Sequence, residues 1–360
     1  MRSLTDILEL SVSEIDGLID TACDIMKNPE KYREKCKYKK LATLFFEPST
    51  RTRLSFEAAM LELGGSVLGF SEASSSSASK GESVYDTAKI VSNYADIIAM
   101  RHPKEGAPLV AARNAGVPVI NAGDGGHHHP TQTLADLCTI KTEIGRLGSI
   151  TVGICGDLKF GRTVHSLIQA MARYGGVRFV LISPKELRLP DYVMRDAEKD
   201  SDVKFIETAS LEEYMPQLDV LYMTRIQQER FTDKDEYERL KNSYVLDMPK
   251  LKTAKDSLII LHPLPRVNEI SVNVDSDKRA MYFKQALNGK YMRMALILML
   301  LEGKKADNPI QYKEVTAENV TCPNPMCIMT TEQELPHLFK LTDEKENIYR
   351  CVYCDTQVKL

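Results

Sequence analysis

The chain has 360 residues, enough for two or more domains with cores of their own. Its 43% hydrophobic and 27% charged content is ordinary for a globular protein in water, and a net charge of −3 leaves no electrostatic footprint for nucleic acid. The longest apolar run, Met294 to Leu301, is too short to span a membrane, and acidic residues interrupt the apolar core that a secretory leader at MRSLTDILEL would need, so the expected compartment is the cytoplasm.

Residues 3 to 36 are expected to be helical, with starts at Leu4-Thr5-Asp6 and Ser13-Glu14-Ile15 and a break at Lys27-Asn28-Pro29. Lys40 to Phe46 has strand character. The turn Phe46-Glu47-Pro48-Ser49-Thr50-Arg51-Thr52-Arg53 follows, then a helix with Phe56, Met60 and Leu63 on one face that stops at Gly64-Gly65. Ser66 to Phe70 is a second strand, so this is a βαβ unit whose turn lies at the carboxyl end of a parallel strand. Backbone N–H groups at a helix start have no intrahelical partner, and the helix dipole favours negative charge there. The hydroxyls of Ser49, Thr50 and Thr52 and the guanidinium groups of Arg51 and Arg53 add donors to that end. Helix capping with solvated arginines is the plainer reading, but five polar donors in a row favour a phosphate or carboxylate dianion.

Ser71 to Ser83 has the composition of a flexible linker, yet Lys80-Gly81-Glu82 interrupts it and a helix, Val84 to Tyr94, follows. A mobile loop ending in lysine is suited to closing over an anion. Ala95 to Met100 is a strand with Arg101 at its end, a candidate ligand contact. Val117 to Asn121 leads into Gly123-Asp124-Gly125-Gly126-His127-His128-His129-Pro130-Thr131-Gln132. Adjacent histidines point in different directions and no carboxylate is suitably spaced, so no metal is expected here, and His127 and His128 are expected at the surface. The helix Thr131 to Ile144 carries the hinge between domains.

Ile150 to Cys155 opens a second parallel α/β domain. Its turn, Gly156 to Thr163, is one substitution from the P-loop pattern, with Arg162 where lysine would stand. Nucleotide hydrolysis is therefore an alternative function. A guanidinium fork suits a carboxylate better than it replaces a slim ammonium between phosphates. The strand Asp219 to Met223 runs into Thr224-Arg225-Ile226-Gln227, and the charged stretch Gln228 to Arg239 has the pattern of a solvated helix face. Ser257 to Leu261 ends in His262-Pro263-Leu264-Pro265-Arg266, where the prolines fix the backbone and leave carbonyls free to accept; a cis bond before one of them is compatible with this turn. Tyr282 to Leu301 is a core helix that should return to the first domain.

Of the eight cysteines, Cys23, Cys36, Cys138 and Cys155 are expected as buried thiols. Cys322-x4-Cys327 and Cys351-x2-Cys354 supply four thiolates on two knuckles, a closed tetrahedral set for structural zinc. Two disulfides are the alternative, disfavoured in a reducing compartment. So small a segment should draw much of its folding energy from the metal. Taken alone, this tail also fits a zinc-bearing interaction scaffold.

The turn at Phe46 to Thr52, the K-G-E at Lys80, Arg101, H-P-T-Q at His129, G-R-T at Arg162, R-x-Q at Arg225 and the Pro263-Leu264-Pro265 loop together resemble the aspartate and ornithine carbamoyltransferases over Leu4 to Gly303. The tail resembles the zinc domain of the aspartate carbamoyltransferase regulatory chain. The fold implied is two doubly wound parallel-sheet α/β domains of similar size plus a small C-terminal zinc module. The first, carbamoyl phosphate-binding domain would be 1–131 with a return helix 286–305, the aspartate-binding domain 132–285, and the linker and zinc module 306–360, joined near Ala306 to Thr316. The activity implied is carbamoyl transfer from carbamoyl phosphate to aspartate, in de novo pyrimidine biosynthesis.

The resemblance also implies roles. Ser49, Thr50, Arg51, Thr52 and Lys80 would hold phosphate, with Ser76 and Lys80 reaching in from a neighbouring subunit. Thr52, Arg101 and His129 would polarise the carbonyl, and Gln132 would bind the same donor substrate. Arg51, Thr52, Lys80, Arg101 and His129 form the implied catalytic set. Arg162 and Thr163 would take the α-carboxylate, Arg225 and Gln227 the side-chain carboxylate, and the carbonyls of Pro263 and Leu264 the amine, with Pro265 beside them. Arg225 and Pro263 distinguish an aspartate enzyme from an ornithine one. Catalysis would use no cofactor. The chain would form a homotrimer with shared sites, open to a higher assembly through the zinc module, with no nucleic-acid or membrane partner.

Overall fold

A computed structural model describes residues 2–199, 201–226, 234–240, 243–303, 313–332, 335–344 and 346–360. Strand β1 (Lys40–Phe45) is buried at every position but its first, which is why it reads as an unbroken apolar run. It pairs in parallel with β2 (Ser66–Phe70) on one side and β3 (Ile97–His102) on the other, and β3 pairs in parallel with β4 (Val119–Asp124). The order β2-β1-β3-β4 reverses direction between β1 and β3. Such a reversal opens a crevice beyond the carboxyl ends of the two strands, where ligands bind.

Strands β5 (Thr151–Cys155), β6 (Arg178–Ile182), β7 (Lys204–Thr208), β8 (Val220–Met223) and β9 (Ile259–Leu261) form a second sheet, parallel throughout, in the order β7-β6-β5-β8-β9. Its reversal lies between β5 and β8. The chain divides into two compact units, Met1–Thr131 with Lys290–Leu360, and Gln132–Gly289.

The first long helix runs Val12–Lys27 and starts one turn position earlier than Ser13-Glu14-Ile15 suggests. Ser11 caps it, and Ser11 and Glu14 close a reciprocal capping box. The helix Tyr282–Leu301 has the bounds expected from its sequence. Past the unit boundary it packs on the first unit, where Arg293 stacks over Phe56 at 5.1 Å and donates to Ser55 Oγ at 3.2 Å.

The tail forms an antiparallel sheet of β10 (Glu314–Thr316), β11 (Leu338–Asp343), β12 (Ile348–Cys351) and β13 (Gln357–Val358). Glu314 to Thr316 is thus strand, where the sequence reads as linker. Nor does the tail stand on metal alone: Ile328, Phe339, Tyr353 and Val358 share one apolar cluster with Ala107, Val110 and Val119 of the first sheet domain. Glu105 is bonded on both sides to the tail, its N–H donating to Met326 O at 2.8 Å and its carbonyl accepting from Ile328 N at 2.9 Å. Gly106 sits under this contact with φ +86°, and a Cβ there would meet the Tyr353 carbonyl oxygen at 2.5 Å. We expect Gly106→Ala to loosen the tail from the domain, read as faster amide exchange across Cys322 to Val358; unchanged protection would contradict a shared core.

Candidate active site

The turn after β1 places Ser49 at the N-cap of the helix Thr50–Glu62, but the Ser49 side chain makes no capping hydrogen bond. Capping therefore does not account for this serine. Thr52 is buried and Arg51 lies exposed beside it on the first turn. Register places Arg101 of β3 opposite Phe45 of β1, at the mouth of the crevice. The Arg101 Nη2 pairs with Glu47 Oε2 at 2.7 Å. Its Nε is buried and has no hydrogen-bond partner among the described residues. Burial lowers the Arg101 pKa against the pull of Glu47. Burial, then the charge of Arg101, lowers that of Arg51. The two guanidinium groups are thus close enough to repel, and an anion between them would relieve that repulsion and satisfy the orphaned donor. His129 is buried immediately before the helix Pro130–Ile144.

The serine-rich loop is ordered into two short 3-10 turns, Ala73–Ser75 and Ser77–Lys80. Ser76 Oγ donates to Ala73 O at 2.9 Å and accepts from Ala78 N. Lys80 is exposed on the last turn, which ends at Gly81 in the left-handed region.

In the second unit, Arg162 is the first residue of the helix Arg162–Met171 and Arg225 lies two residues past β8; both are half-buried. Their strands are neighbours, with Cys155 opposite Met223. Thr224 ties the two turns together, its Oγ1 accepting from Asp157 N at 2.8 Å and donating to Cys155 O at 3.1 Å. Asp157 Oδ1 accepts from Phe160 N at 2.9 Å. A backbone donor that a phosphate cradle would need therefore faces a carboxylate, which weakens the P-loop reading. Thr163 bonds the phenol of Tyr222, whose OH donates to Asp136 Oδ2 at 3.1 Å. Gln132 donates its Nε2 to Asp136 Oδ1 at 2.7 Å, as Gln285 does at 2.6 Å. Asp136 is fully buried and organises this network, although in the sequence nothing sets it apart from the other polar residues of its helix.

The loop after β9 contains a cis Leu264–Pro265 bond, and Leu264 has φ +53°. Buried His262 holds it: Nδ1 accepts from Leu264 N at 2.7 Å, so Nε2 carries the proton donated to Glu269 Oε1 at 2.7 Å. Glu269 also accepts from Val267 N and Asn268 N at 3.0 Å each. Burial raises the Glu269 pKa, but the His262 and backbone hydrogen bonds outweigh it and bring the group from 4.5 to about 2. A depressed carboxyl contributes stability that is whole above its unfolded pKa and lost as pH falls towards the folded one. The melting-temperature deficit of Glu269→Gln should therefore be full above pH 4.5 and shrink towards pH 2; a deficit independent of pH would refute this. Gln227 lies outside the described residues.

Two family models divide the chain: the aspartate/ornithine carbamoyltransferase carbamoyl-P binding domain over residues 2–142, and the Asp/Orn binding domain over 148–300. The chain belongs to the aspartate/ornithine carbamoyltransferase family. A curated relative, the aspartate carbamoyltransferase catalytic subunit of Lachnoclostridium phytofermentans, is 60% identical over 301 residues, covering 84% of this chain and 98% of the relative. The catalytic subunit of M. jannaschii aspartate transcarbamoylase superposes with a TM-score of 0.79 at 47% identity, covering 84% of this chain and 99% of that one. The Trypanosoma cruzi aspartate transcarbamoylase in complex with N-(phosphonacetyl)-L-aspartic acid matches with a TM-score of 0.79 at 37% identity, covering 83% and 95%. Residues 314–360 match a third model, the metal binding domain of the aspartate carbamoyltransferase regulatory chain. A catalytic chain of this carbamoyltransferase family is thus continuous with a regulatory-type metal module.

In that module the sulfurs of Cys322, Cys327, Cys351 and Cys354 all lie within 4.8 Å of one another. Cys322 to Cys354 is 3.4 Å and Cys327 to Cys351 is 3.7 Å. Zinc–sulfur bonds of about 2.3 Å in a tetrahedron put sulfurs about 3.8 Å apart, so the set fits a four-thiolate ion. Of the other cysteines, Cys36, Cys138 and Cys155 are buried as expected, whereas Cys23 is partly exposed. His127 and His128 are not at the surface. His127 Nε2 lies 2.9 Å and His128 Nε2 3.3 Å from Asp355 Oδ2 of the metal module. Their carboxylate partner comes from more than two hundred residues away, which sequence spacing could not show.

Proposed function

We propose that this carbamoyltransferase moves the carbamoyl group of carbamoyl phosphate to the amine of L-aspartate, giving N-carbamoyl-L-aspartate and phosphate, the reaction that feeds de novo pyrimidine synthesis. The observation that carries the reading is the placement of Arg162 and Arg225 at neighbouring strand ends in one unit, with the repelling pair Arg51 and Arg101 at the crevice of the other. Two guanidinium groups suit an acceptor with two carboxylates, and two more suit a dianionic donor. Ornithine offers no second carboxylate.

In this reading Ser49, Thr50, Arg51 and Thr52 hold the phosphate. Ser76 and Lys80 enter from a neighbouring subunit of a homotrimer, which agrees with the exposure of Lys80. Thr52, Arg101 and His129 donate to the carbamoyl oxygen as the aspartate amine attacks the carbon. The oxyanion collapses, the bond between the carbamoyl carbon and the bridging phosphate oxygen breaks, and the departing phosphate takes the amine proton. Removing one such oxyanion donor typically costs roughly 3–4 kcal/mol. Gln132 orients the donor through its link to Asp136. Arg162 and Thr163 take the α-carboxylate, Arg225 and Gln227 the side-chain carboxylate. The Pro263 and Leu264 carbonyls, set by His262 with Pro265 behind them, accept from the amine. Much of the acceleration comes from holding amine and carbonyl in contact. No cofactor takes part in these steps.

For the tail we propose structural zinc, held by Cys322, Cys327, Cys351 and Cys354 with no position left for substrate; its role is to fix the two knuckles. We infer a cytoplasmic setting, whose reducing conditions keep the four thiolates available to the metal. The module could join trimers into a higher assembly. A colorimetric assay for carbamoyl-aspartate tests the activity: product should require both carbamoyl phosphate and aspartate, and ornithine should give none. Product from ornithine, or none from either acceptor, would overturn the reading.

A further inference from the structure

We propose that His127, His128 and Asp355 form a second divalent-cation site of the zinc class at the contact between the first sheet domain and the cysteine module. Nothing in the transfer chemistry above uses these residues. The two imidazole Nε2 atoms converge on one carboxylate oxygen, at 2.9 and 3.3 Å from Asp355 Oδ2, and the three ligand atoms lie within 4.8 Å of one another. In a tetrahedral zinc site with bonds of about 2.0–2.1 Å, ligand atoms sit about 3.3 Å apart. Asp6 Oδ2 lies 3.6 Å from His128 Nε2, outside the three-residue cluster, so the set is two imidazoles and one carboxylate. Two neutral imidazoles and one carboxylate offset part of a dication's charge and leave a position for solvent, and this mixed nitrogen and oxygen set suits zinc or its first-row neighbours better than magnesium or calcium.

The surroundings fit as well. A metal-bound histidine ordinarily donates its other ring nitrogen to a carboxylate, which fixes the tautomer and aims the lone pair. His127 Nδ1 lies 3.1 Å from Asp124 Oδ2, and Asp124 is itself buried and held by Gly106 N at 2.8 Å and Asn121 Nδ2 at 2.9 Å. Lys340 Nζ binds the other oxygen of Asp355 at 2.6 Å, which turns Oδ2 towards the imidazoles. A cavity of about 160 Å³ reaches these residues and gives an ion a way in. The rival is a purely hydrogen-bonded latch, with Asp355 accepting from both rings and no ion.

Cobalt titration of the chelator-stripped full chain separates the two. The four-thiolate site should fill first and give intense thiolate-to-cobalt charge transfer. A second equivalent should then add visible ligand-field absorption without further charge transfer, and metal analysis should give two equivalents per chain. His128→Ala and Asp355→Asn should each hold one equivalent, with the thiolate band intact. A wild-type chain that saturates at one equivalent, with no absorption beyond the thiolate spectrum, would overturn the site, whatever the variants do. Loss of the thiolate band itself would instead count against the zinc reading of the cysteines.

Discussion

Arg225→Ala should abolish useful turnover of aspartate while carbamoyl phosphate binding persists. The residue stands just past β8, bound through Thr224 to the turn that presents Arg162. Removing one side of a charge pair in a partly desolvated site costs about 2–5 kcal/mol. That corresponds to a fall in kcat/KM of roughly thirtyfold to several-thousandfold. The loss should be concentrated in the aspartate dependence, because the residues proposed to hold the donor belong to the other unit. Steady-state kinetics with aspartate varied, alongside calorimetric binding of carbamoyl phosphate, would show the split. Arg225→Lys should recover little, since an ammonium cannot present two parallel donors. Normal use of aspartate by the alanine variant would remove the assignment of aspartate as acceptor.

Cys327→Ser should cost the chain its thiolate-bound metal and, with it, the order of the tail. Ion binding in small structural zinc domains is worth about 10–16 kcal/mol, more than the margin by which most domains are stable. The damage should spread, because Phe339, Tyr353 and Val358 cover Ala107, Val110 and Val119. Without that cover, the first sheet domain would expose an apolar face. Metal analysis should show the loss of one equivalent, with binding of a hydrophobic dye and rapid proteolysis near the tail. A variant that keeps its full metal content and its protease resistance would refute a four-thiolate ion.

Much of this was legible because it is local. Strand, turn and helix around Ser49 and Arg51 lie within thirty residues, and their periodicity and turn chemistry need no knowledge of the rest of the chain. The two cysteine knuckles are equally self-contained, since zinc spacing is a short-range code. The Ser11 and Glu14 box was also there to be read; Ser13, beside an equally good acid, concealed it. What escaped reading depends on partners far apart in sequence. Asp136 gathers Gln132, Tyr222 and Gln285, and no window on one helix reveals that. Glu47 is a polar residue in a polar turn until β3 brings Arg101 against it. His127 and His128 pass for surface residues until the tail supplies Asp355.

The bond between Val84 N and Glu332 Oε1, 2.8 Å long, links the tail to the start of the helix that follows the Lys80 loop. Where two separate polypeptides make such a contact, its occupancy depends on how much of each is present. Here both halves are carried by a single backbone, and a tether of this kind sets a local concentration in roughly the millimolar range. Whatever restraint the tail places on that loop should therefore persist at any enzyme level, from a scarce cellular pool to a crowded crystallisation drop.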